Sequence, residues 1–563
     1  MTLSKHVDAE HLEEVLLKRS KKTALSQHEQ YIDSYSANKS VPKYTIPEHS
    51  SSSDLIYDYL TEELSLDGIP TLNLASFVNT DVDETPLKLI TKNIVKNLAD
   101  NDEYPSLIEF QKRCVSILSN LWHAPYTEID GLRVTHSIGT ATTGSSEAVM
   151  LGGLALKKRW QEKQKAKGKS TENPNIIMAS CVQVALEKFA RYFDVENRLI
   201  RIDEESGHTI DTTKIAENVD ENTIGIFVIL GSTFTGAFEP VEQIAKILDK
   251  VEQERGIDVR IHVDGASGGF VAPFLYPHLK WDFAVDRVDS INTSGHKYGL
   301  TTAGLGWVIW RNGKVLPDSL KFSLDYLGGQ EETFGLNFSR AGFPVIHQYY
   351  NFLTYGREGY CKIFQGCLSN ARLFSNFLEK SSYFEVLSVI HKPLKNPSEV
   401  YDREIVDDSK YFHGLDTHKY YPGLPVVAWR FSKTVRDKYP EIPQSIFSLL
   451  LRNKGYIVPN YHLPPDEHEK EILRVVVRHS MSLNLLDKLM QDCVTTAEYL
   501  IGACENARSI VRTQAQSAEE EADVVYKVLL SLAANGLEDL DSIQQTSLQK
   551  PGKVGTVGFR STC

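Results

Sequence analysis

The sequence predicts an α/β fold, with a large domain on a mostly parallel central sheet and a small α+β domain after it. Three observations predict it. Short, almost unbroken apolar runs recur through the first two thirds of the chain. Amphipathic stretches rich in Ala, Leu, Glu and Lys separate them. Beyond about residue 365 the alternation gives way to sparser strands and long helical patterns. Strands that are apolar on both faces need helices on both faces, which is the setting of a parallel sheet.

Residues 1–71 read as an N-terminal arm and helix. Leu12, Val15 and Leu16 give a short helical pattern, followed by a Ser- and Lys-rich stretch. An amphipathic helix over 54–66 then places Leu55, Ile56, Tyr59 and Leu60 on one side and stops at Asp67-Gly68. Residues 72–365 form the large domain, with strands at Asn175–Ala179, Arg198–Ile202, Thr223–Leu230, Val259–Val263 and Trp307–Trp310. Residues 366–502 form the small domain, with strands at Leu424–Trp429 and Ile472–Val477 and a helix over Leu483–Leu500. Residues 503–563 are a C-terminal extension. There Ser517 and Glu520 make a capping box, Val525, Val528, Leu529 and Leu532 an apolar stripe, and Asn535-Gly536 a stop before a flexible tail from Pro551.

Acidic residues outnumber basic ones, 74 to 61, for a net charge of −13. That sign argues against a general binder of nucleic acid or anionic membrane. No apolar run approaches the roughly 18 residues of a membrane span. The N-terminus opens into a charged pattern without the apolar core of a secretory signal, which predicts a cytoplasmic protein. The 7 cysteines are scattered, with no CxxC pair and no zinc spacing, so free thiols in a reducing compartment and no metal are expected.

Three segments carry chemistry. Lys297 lies in Ser294-Gly-His-Lys-Tyr-Gly299, between small and apolar residues, a setting that lowers an amine pKa and favours a Schiff base with an aldehyde. Asp264 ends an apolar strand in His262-Val-Asp-Gly-Ala-Ser-Gly-Gly269, where it is placed to pair with a protonated pyridine nitrogen. In Ala141-Thr-Thr-Gly-Ser-Ser-Glu-Ala148 a Gly-Ser-Ser turn opens a helix, and its free N–H groups with the hydroxyls of Ser145 and Ser146 suit a phosphate. Together they point to pyridoxal 5'-phosphate and amino-acid chemistry. Each has a plainer reading: a surface lysine, an aspartate starting a turn, a serine cap. A further alternative is a serine hydrolase, because Gly265-Ala-Ser-Gly-Gly269 matches a nucleophile-elbow pattern around Ser267.

In order along residues 55–480, the chain resembles the glutamate decarboxylase family of pyridoxal-phosphate enzymes. The anchors are Asn73-Leu-Ala-Ser-Phe77, Glu103-Tyr-Pro105, Leu121-Trp-His-Ala-Pro125, the Gly-Ser-Ser turn, Lys188-Phe-Ala-Arg-Tyr192, Thr233-Phe-Thr-Gly236, the Asp264 and Lys297 motifs, Asp325-Tyr-Leu-Gly-Gly-Gln330 and Asn337-Phe-Ser-Arg340. The resemblance implies the aspartate-aminotransferase-like fold (fold type I) and α-decarboxylation of L-glutamate to 4-aminobutyrate and carbon dioxide. Another pyridoxal-phosphate amino-acid decarboxylase or carbon–carbon lyase of the same fold is the nearest alternative. By position, Lys297 would hold the cofactor aldehyde and Asp264 the ring nitrogen. Gln183 would lie over the ring, Ala266 beneath it, and Thr233 near its phenolic oxygen. Ser145, Ser146 and His296 would contact the phosphate, with Ser339 reaching it from a partner subunit, and Ser294 is a further cofactor-binding candidate; His296 joins Lys297 and Asp264 as a catalytic candidate. Ser76, Phe77, Asp100 and Arg474 would meet the substrate carboxylates. A dimer is the implied minimum assembly, and a hexamer is compatible with it. Glu187 stands where relatives often have His. Gly265 replaces a common Ala, a change expected to be harmless. The acidic C-terminal helix lacks the basic, Trp-containing character of calmodulin-binding tails, so calmodulin control is not expected.

Overall fold

The computed structural model describes residues 44–324, 331–395, 400, 417–511 and 518–535. The helical pattern around Leu12, the Asp325–Gln330 motif, the Ser517 cap and the tail from Pro551 lie outside them. The chain forms two compact units, residues 1–69 with 555–563, and residues 70–554. In the first, the predicted amphipathic helix spans Ser53–Leu64, and Ser52 caps it by accepting from the Leu55 N–H.

In the second unit, a hairpin (β1 Tyr126–Ile129, β2 Leu132–Thr135) precedes the seven strands of the central sheet. These are β3 Ile138–Thr142, β4 Asn175–Ala179, β5 Glu196–Ile200, β6 Thr223–Ile229, β7 Ile261–Asp264, β8 Val288–Ser294 and β9 Gly306–Trp310. Their order is β3-β9-β8-β7-β6-β4-β5. β8, β7, β6, β4 and β5 are parallel, while β9 runs antiparallel between β8 and β3. Every residue of β4, β6, β7, β8 and β9 is buried, as two-sided apolar strands require. Helices Ser145–Ala166, Val184–Tyr192, Val241–Arg255 and Gly268–Leu275 follow strands in the alternation read from the sequence.

A second hairpin (β10 Phe322–Leu324, β11 Glu331–Thr333) precedes the helix Phe343–Lys380, which breaks at Gly356 with φ 54. The expected boundary at 365/366 falls inside this helix. Beyond it lies an antiparallel sheet of β12 Phe384–Val386, β13 Val426–Phe431, β14 Asn460–His462 and β15 Glu471–Val476, ordered β12-β13-β15-β14. The helix expected over 483–500 continues to Val511. Its apolar stripe explains the extension: Leu486, Leu489, Cys493, Ala497 and Leu500 are buried, and Cys504 and Ala507 continue the same side.

One irregular segment is tied to this smaller sheet and is important below. Residues 72–80 run beside it: Ile457 N–H donates to Leu72 O, Leu74 N–H to Ile457 O, and Val476 N–H to Leu74 O. Arg478, only 6% exposed, donates from Nη1 to Val78 O and Thr80 Oγ1 and from Nη2 to Pro70 O and Asn73 O. A buried guanidinium is costly unless its donors are used, and this one directs them to three backbone carbonyls and one hydroxyl of a single segment, residues 70–80. Arg478→Met keeps the apolar stem and removes those donors from the loop. Denaturant unfolding of that variant should show a loss of about 3 kcal/mol; a loss within error of zero would mean the loop is held by other contacts.

Candidate active site

The site forms where the C-terminal ends of β7 and β8 meet the first turn of the helix Ser145–Ala166. Parallel strands present their C-terminal ends together, and ligands of open α/β sheets bind there. Asp264 is the last residue of β7 and pairs in register with Asn292 of β8. Its Oδ1 accepts from Asn292 Nδ2 at 2.9 Å and from the Ala266 N–H at 3.1 Å. Among the described residues no donor reaches Oδ2. That leaves a carboxylate oxygen, on a residue 6% exposed, to take a cationic ring N–H.

β8 ends at Ser294, and the chain turns so that Lys297 follows within three residues. The Lys297 Nζ lies 5.3 Å from the centre of the Phe77 ring, which is 7% exposed. The guanidinium carbon of Arg474 also lies over this ring, 4.8 Å from its centre. Arg474 donates from Nη1 to Thr233 O at 2.8 Å and from Nη2 to Ala75 O, while its buried Nε has no partner among the described residues. Phe77 thus has two cations within cation–π distance, each of which can face an anionic substrate.

The phosphate end is a helix N-terminus without a side-chain cap. Among the described residues the N–H groups of Ser145, Ser146 and Glu147 meet no acceptor, so three donors and the positive end of the helix dipole face the site. Ser145 Oγ accepts from Ser294 Oγ at 2.7 Å and from Asn292 Nδ2 at 3.2 Å. His296 accepts on Nδ1 from the Leu305 N–H at 3.2 Å, which leaves Nε2 as the donor. Burial, with the Lys297 charge added, pushes its pKa down to about 4, so it acts as a neutral donor.

Pyridoxal phosphate fits these groups at each of its functions: unsatisfied N–H donors for the phosphate, an available carboxylate oxygen for the ring nitrogen, and an amine for the aldehyde. Of the other predicted residues, Ala266 lies two residues after Asp264 and its carbonyl accepts from the Ser294 N–H. Gln183 caps the helix Val184–Tyr192 through Oε1, at 2.6 Å from the Ala185 nitrogen. Thr233 contributes its carbonyl to Arg474. Ser76 accepts from the Val78 N–H in a tight turn beside Phe77.

Asp100 and Ser339 do not join this cluster. Asp100 caps its own turn by accepting from the Glu103 N–H, and Ser339, exposed, accepts from Asn97 Nδ2 at 3.3 Å. The two are neighbours through Asn97, whose Oδ1 also takes the Arg340 N–H. Glu147 ties this patch to the phosphate turn: Oε2 accepts from Thr143, and Oε1 accepts from the Leu336 and Asn337 N–H groups.

At Gly265, where the change from Ala is expected to be harmless, a Cβ would sit 2.9 Å from the Asn292 carbonyl oxygen, which accepts the Gly265 N–H, so this backbone suits the glycine. Ser267 is buried, and among the described residues no histidine hydrogen-bonds it, so the nucleophile pattern has no general base. Sequence reading missed Asn292, His262, Glu147 and Arg478. For Asn292 the usable signal was its place two residues before Ser294, on the same side of a strand.

Comparison with known proteins agrees with this geometry. A model of the pyridoxal-dependent decarboxylase conserved domain matches residues 77–395. A glutamate decarboxylase of Saccharomyces cerevisiae is 47% identical over 92% of this chain and 90% of its own. One from Aliivibrio fischeri is 40% identical over 82% of this chain and 90% of its own. The solved Lactobacillus brevis glutamate decarboxylase superposes with TM-score 0.72 at 34% identity, covering 82% of this chain and 96% of that one. A Burkholderia pseudomallei sphingosine-1-phosphate lyase, at 18% identity and TM-score 0.63, shares the fold, covering 83% of this chain and 95% of that one.

His262, His296 and His347 each have a pKa lowered to about 4, chiefly by burial. Unfolded histidines titrate near 6.5, so between pH 6.5 and 4 the unfolded chain takes up protons that the folded chain refuses. Stability is therefore full above pH 6.5 and falls as pH drops toward 4, by up to about 4 kcal/mol per pH unit for the three together. Melting from pH 7 to 5 should show the fall, and His347→Gln should remove about a third of it. An unchanged slope in that variant would count against burial as the cause.

Proposed function

The chain belongs to the pyridoxal-dependent decarboxylase family, and on that premise we infer that it is a glutamate decarboxylase, removing the α-carboxylate of L-glutamate to give 4-aminobutyrate and carbon dioxide. The observation that carries the reading is the join of Asp264, Lys297 and the open Ser145 helix turn at one place, within a chain 47% identical to a glutamate decarboxylase along nearly its whole length. When bound, pyridoxal phosphate supplies a conjugated cationic ring that takes up the electron pair of the breaking bond. Asp264 keeps the ring nitrogen protonated. Lys297 would supply the amine that holds the aldehyde. Ser145, Ser146 and the neutral His296 donate to the phosphate.

The pocket favours an anionic substrate. Arg474 has an unused Nε–H, and the Phe77 ring lies 4.8 Å from its guanidinium carbon, a contact that orders the guanidinium without neutralising it. Ser76 is adjacent, in a loop anchored by Arg478. Each turnover consumes one proton, since a C–H bond replaces the C–carboxylate bond. We further propose a dimer in which Asp100 and Ser339 serve the partner's site. Their support is a shared surface patch with exposed apolar neighbours: Ile94, Val95, Leu336 and Phe338 are 56%, 81%, 46% and 45% exposed.

Lys297→Ala should abolish carbon dioxide release from glutamate and the visible absorption of the purified protein, at least 1000-fold for activity on the order expected for a covalent-catalysis residue. In a panel of amino acids the wild type should prefer glutamate; preference for an aromatic amino acid would overturn the substrate assignment. Mixing Lys297→Ala protomers with Ser339→Ala protomers should give activity above the sum of the two parents, because hybrid dimers contain one intact site. Activity equal to that sum would place Ser339 in its own chain's site or in none.

A further inference from the structure

The sheet face beneath the site carries a line of hydrogen bonds that the assignments above leave unexplained. His262 and Asp264 are two residues apart on β7, so they point to the same face. The register sets Ser290 opposite His262 and Asn292 opposite Asp264. These four side chains form a patch under the cofactor groups, and the chemistry of one of them fixes the direction of every bond.

Asn292 Nδ2 is 2.9 Å from Asp264 Oδ1 and 3.2 Å from Ser145 Oγ. An ionised carboxylate only accepts, so the amide nitrogen must face Asp264 and the amide oxygen must face the other way. That oxygen lies 2.8 Å from His262 Nε2, which must then carry the proton. His262 Nδ1, 2.7 Å from Ser290 Oγ, accepts from the hydroxyl. The ring is fully buried, and burial pushes its pKa down to about 4, so a second proton does not compete. The ring cannot turn freely either. Phe227 meets it edge-on at 5.3 Å, and Gly152 of the phosphate helix closes over it so tightly that a Cβ at 152 would lie 2.3 Å from its Cε1.

We infer that His262 is a positioning residue: as an Nε2–H donor it fixes the Asn292 amide so that one nitrogen serves both Asp264, at the ring end, and Ser145, at the phosphate end. A reversed amide would put a lone-pair oxygen against the Asp264 carboxylate and leave a donor facing the donor on His262. The inference rests on the reading of Asp264 and Ser145 as cofactor partners. A histidine that merely fills space would leave Asn292 unaffected when replaced by a ring of similar size.

The test uses wild-type holoenzyme and the variants His262→Phe, His262→Gln, Asn292→Ala and the double variant His262→Phe/Asn292→Ala. Two quantities are read on proteins with matched melting temperatures: the rate of cofactor loss into a scavenger, and the pH at which the visible cofactor band changes. His262→Phe should speed cofactor loss about tenfold and shift that pH. His262→Gln, which keeps an N–H donor, should recover most of both. The double variant should lose cofactor no faster than Asn292→Ala, since residues acting through one group are not additive. Fully additive losses, a glutamine variant as impaired as phenylalanine, or a folded phenylalanine variant identical to wild type would each overturn the inference. Should His262→Phe fail to fold, Ser290→Ala removes only the hydroxyl behind Nδ1; it should speed cofactor loss about threefold, and an unchanged rate overturns the inference. A wild type without any cofactor band would sink the cofactor reading itself, whereas a normal wild-type band with unaffected variants sinks only the role of His262.

Discussion

The parallel pairing of β7 with β8 is the constraint on which the site depends. Side chains alternate along a strand, so a register shift of one residue would send Asp264 to one face and Asn292 to the other. With Asp264 opposite Asn292, the carboxylate is buried beside a donor, and Lys297 emerges from the strand that carries that donor. The Ser145 turn completes the arrangement because Asn292 and Ser294 both reach Ser145 Oγ. Three distant stretches of sequence are thereby locked into one hydrogen-bonded set. The burial of β7 and β8 on both faces keeps water from competing for it.

The second constraint is how cations are kept near the site without being quenched by acids. Arg474 and Arg478 are 4% and 6% exposed, yet among the described residues their hydrogen bonds go to backbone carbonyls and one threonine hydroxyl, not to carboxylates. A carbonyl satisfies a donor while leaving the positive charge in place. Arg478 uses that charge to hold the loop carrying Ser76 and Phe77. Arg474 retains an unused donor for a ligand. Had either been paired with Asp or Glu, an anionic substrate would first have to displace that partner.

What was readable in the sequence was local. Lys297 and Asp264 stood out because each sits in a short segment whose small residues or strand end set its environment. The Ser145 turn stood out because a helix start has its own residue signature. The parallel sheet was readable from two-sided apolar runs. Asn292 and His262 were not, because their role exists only through the strand register, which a single sequence does not display. Arg478 was missed for a related reason: its partners, residues 70–80, are remote in sequence and offer three backbone carbonyls and one hydroxyl. The fit of Gly265 was not readable either, because the cost of a methyl depends on the Asn292 carbonyl across the turn. The helix end at Val511 was placed too early because the polar residues after Leu500 hid the buried side that Cys504 and Ala507 continue.

The charge balance shows at what scale recognition operates. A chain of net charge −13 binds, on this reading, an anionic amino acid and an anionic phosphate. Long-range steering by the whole molecule would oppose both. At physiological ionic strength, however, exposed charges are screened within about 8 Å, whereas groups out of water are screened far less. The positive elements of the site belong to the second kind: a helix N-terminus, a guanidinium buried against Phe77, and a lysine over the same ring. The bulk charge therefore governs solubility and which polymers are repelled, while the affinity for small anions is set by a few desolvated donors. His296 follows the same logic, because a neutral imidazole donates to a phosphate without adding a charge that burial would penalise.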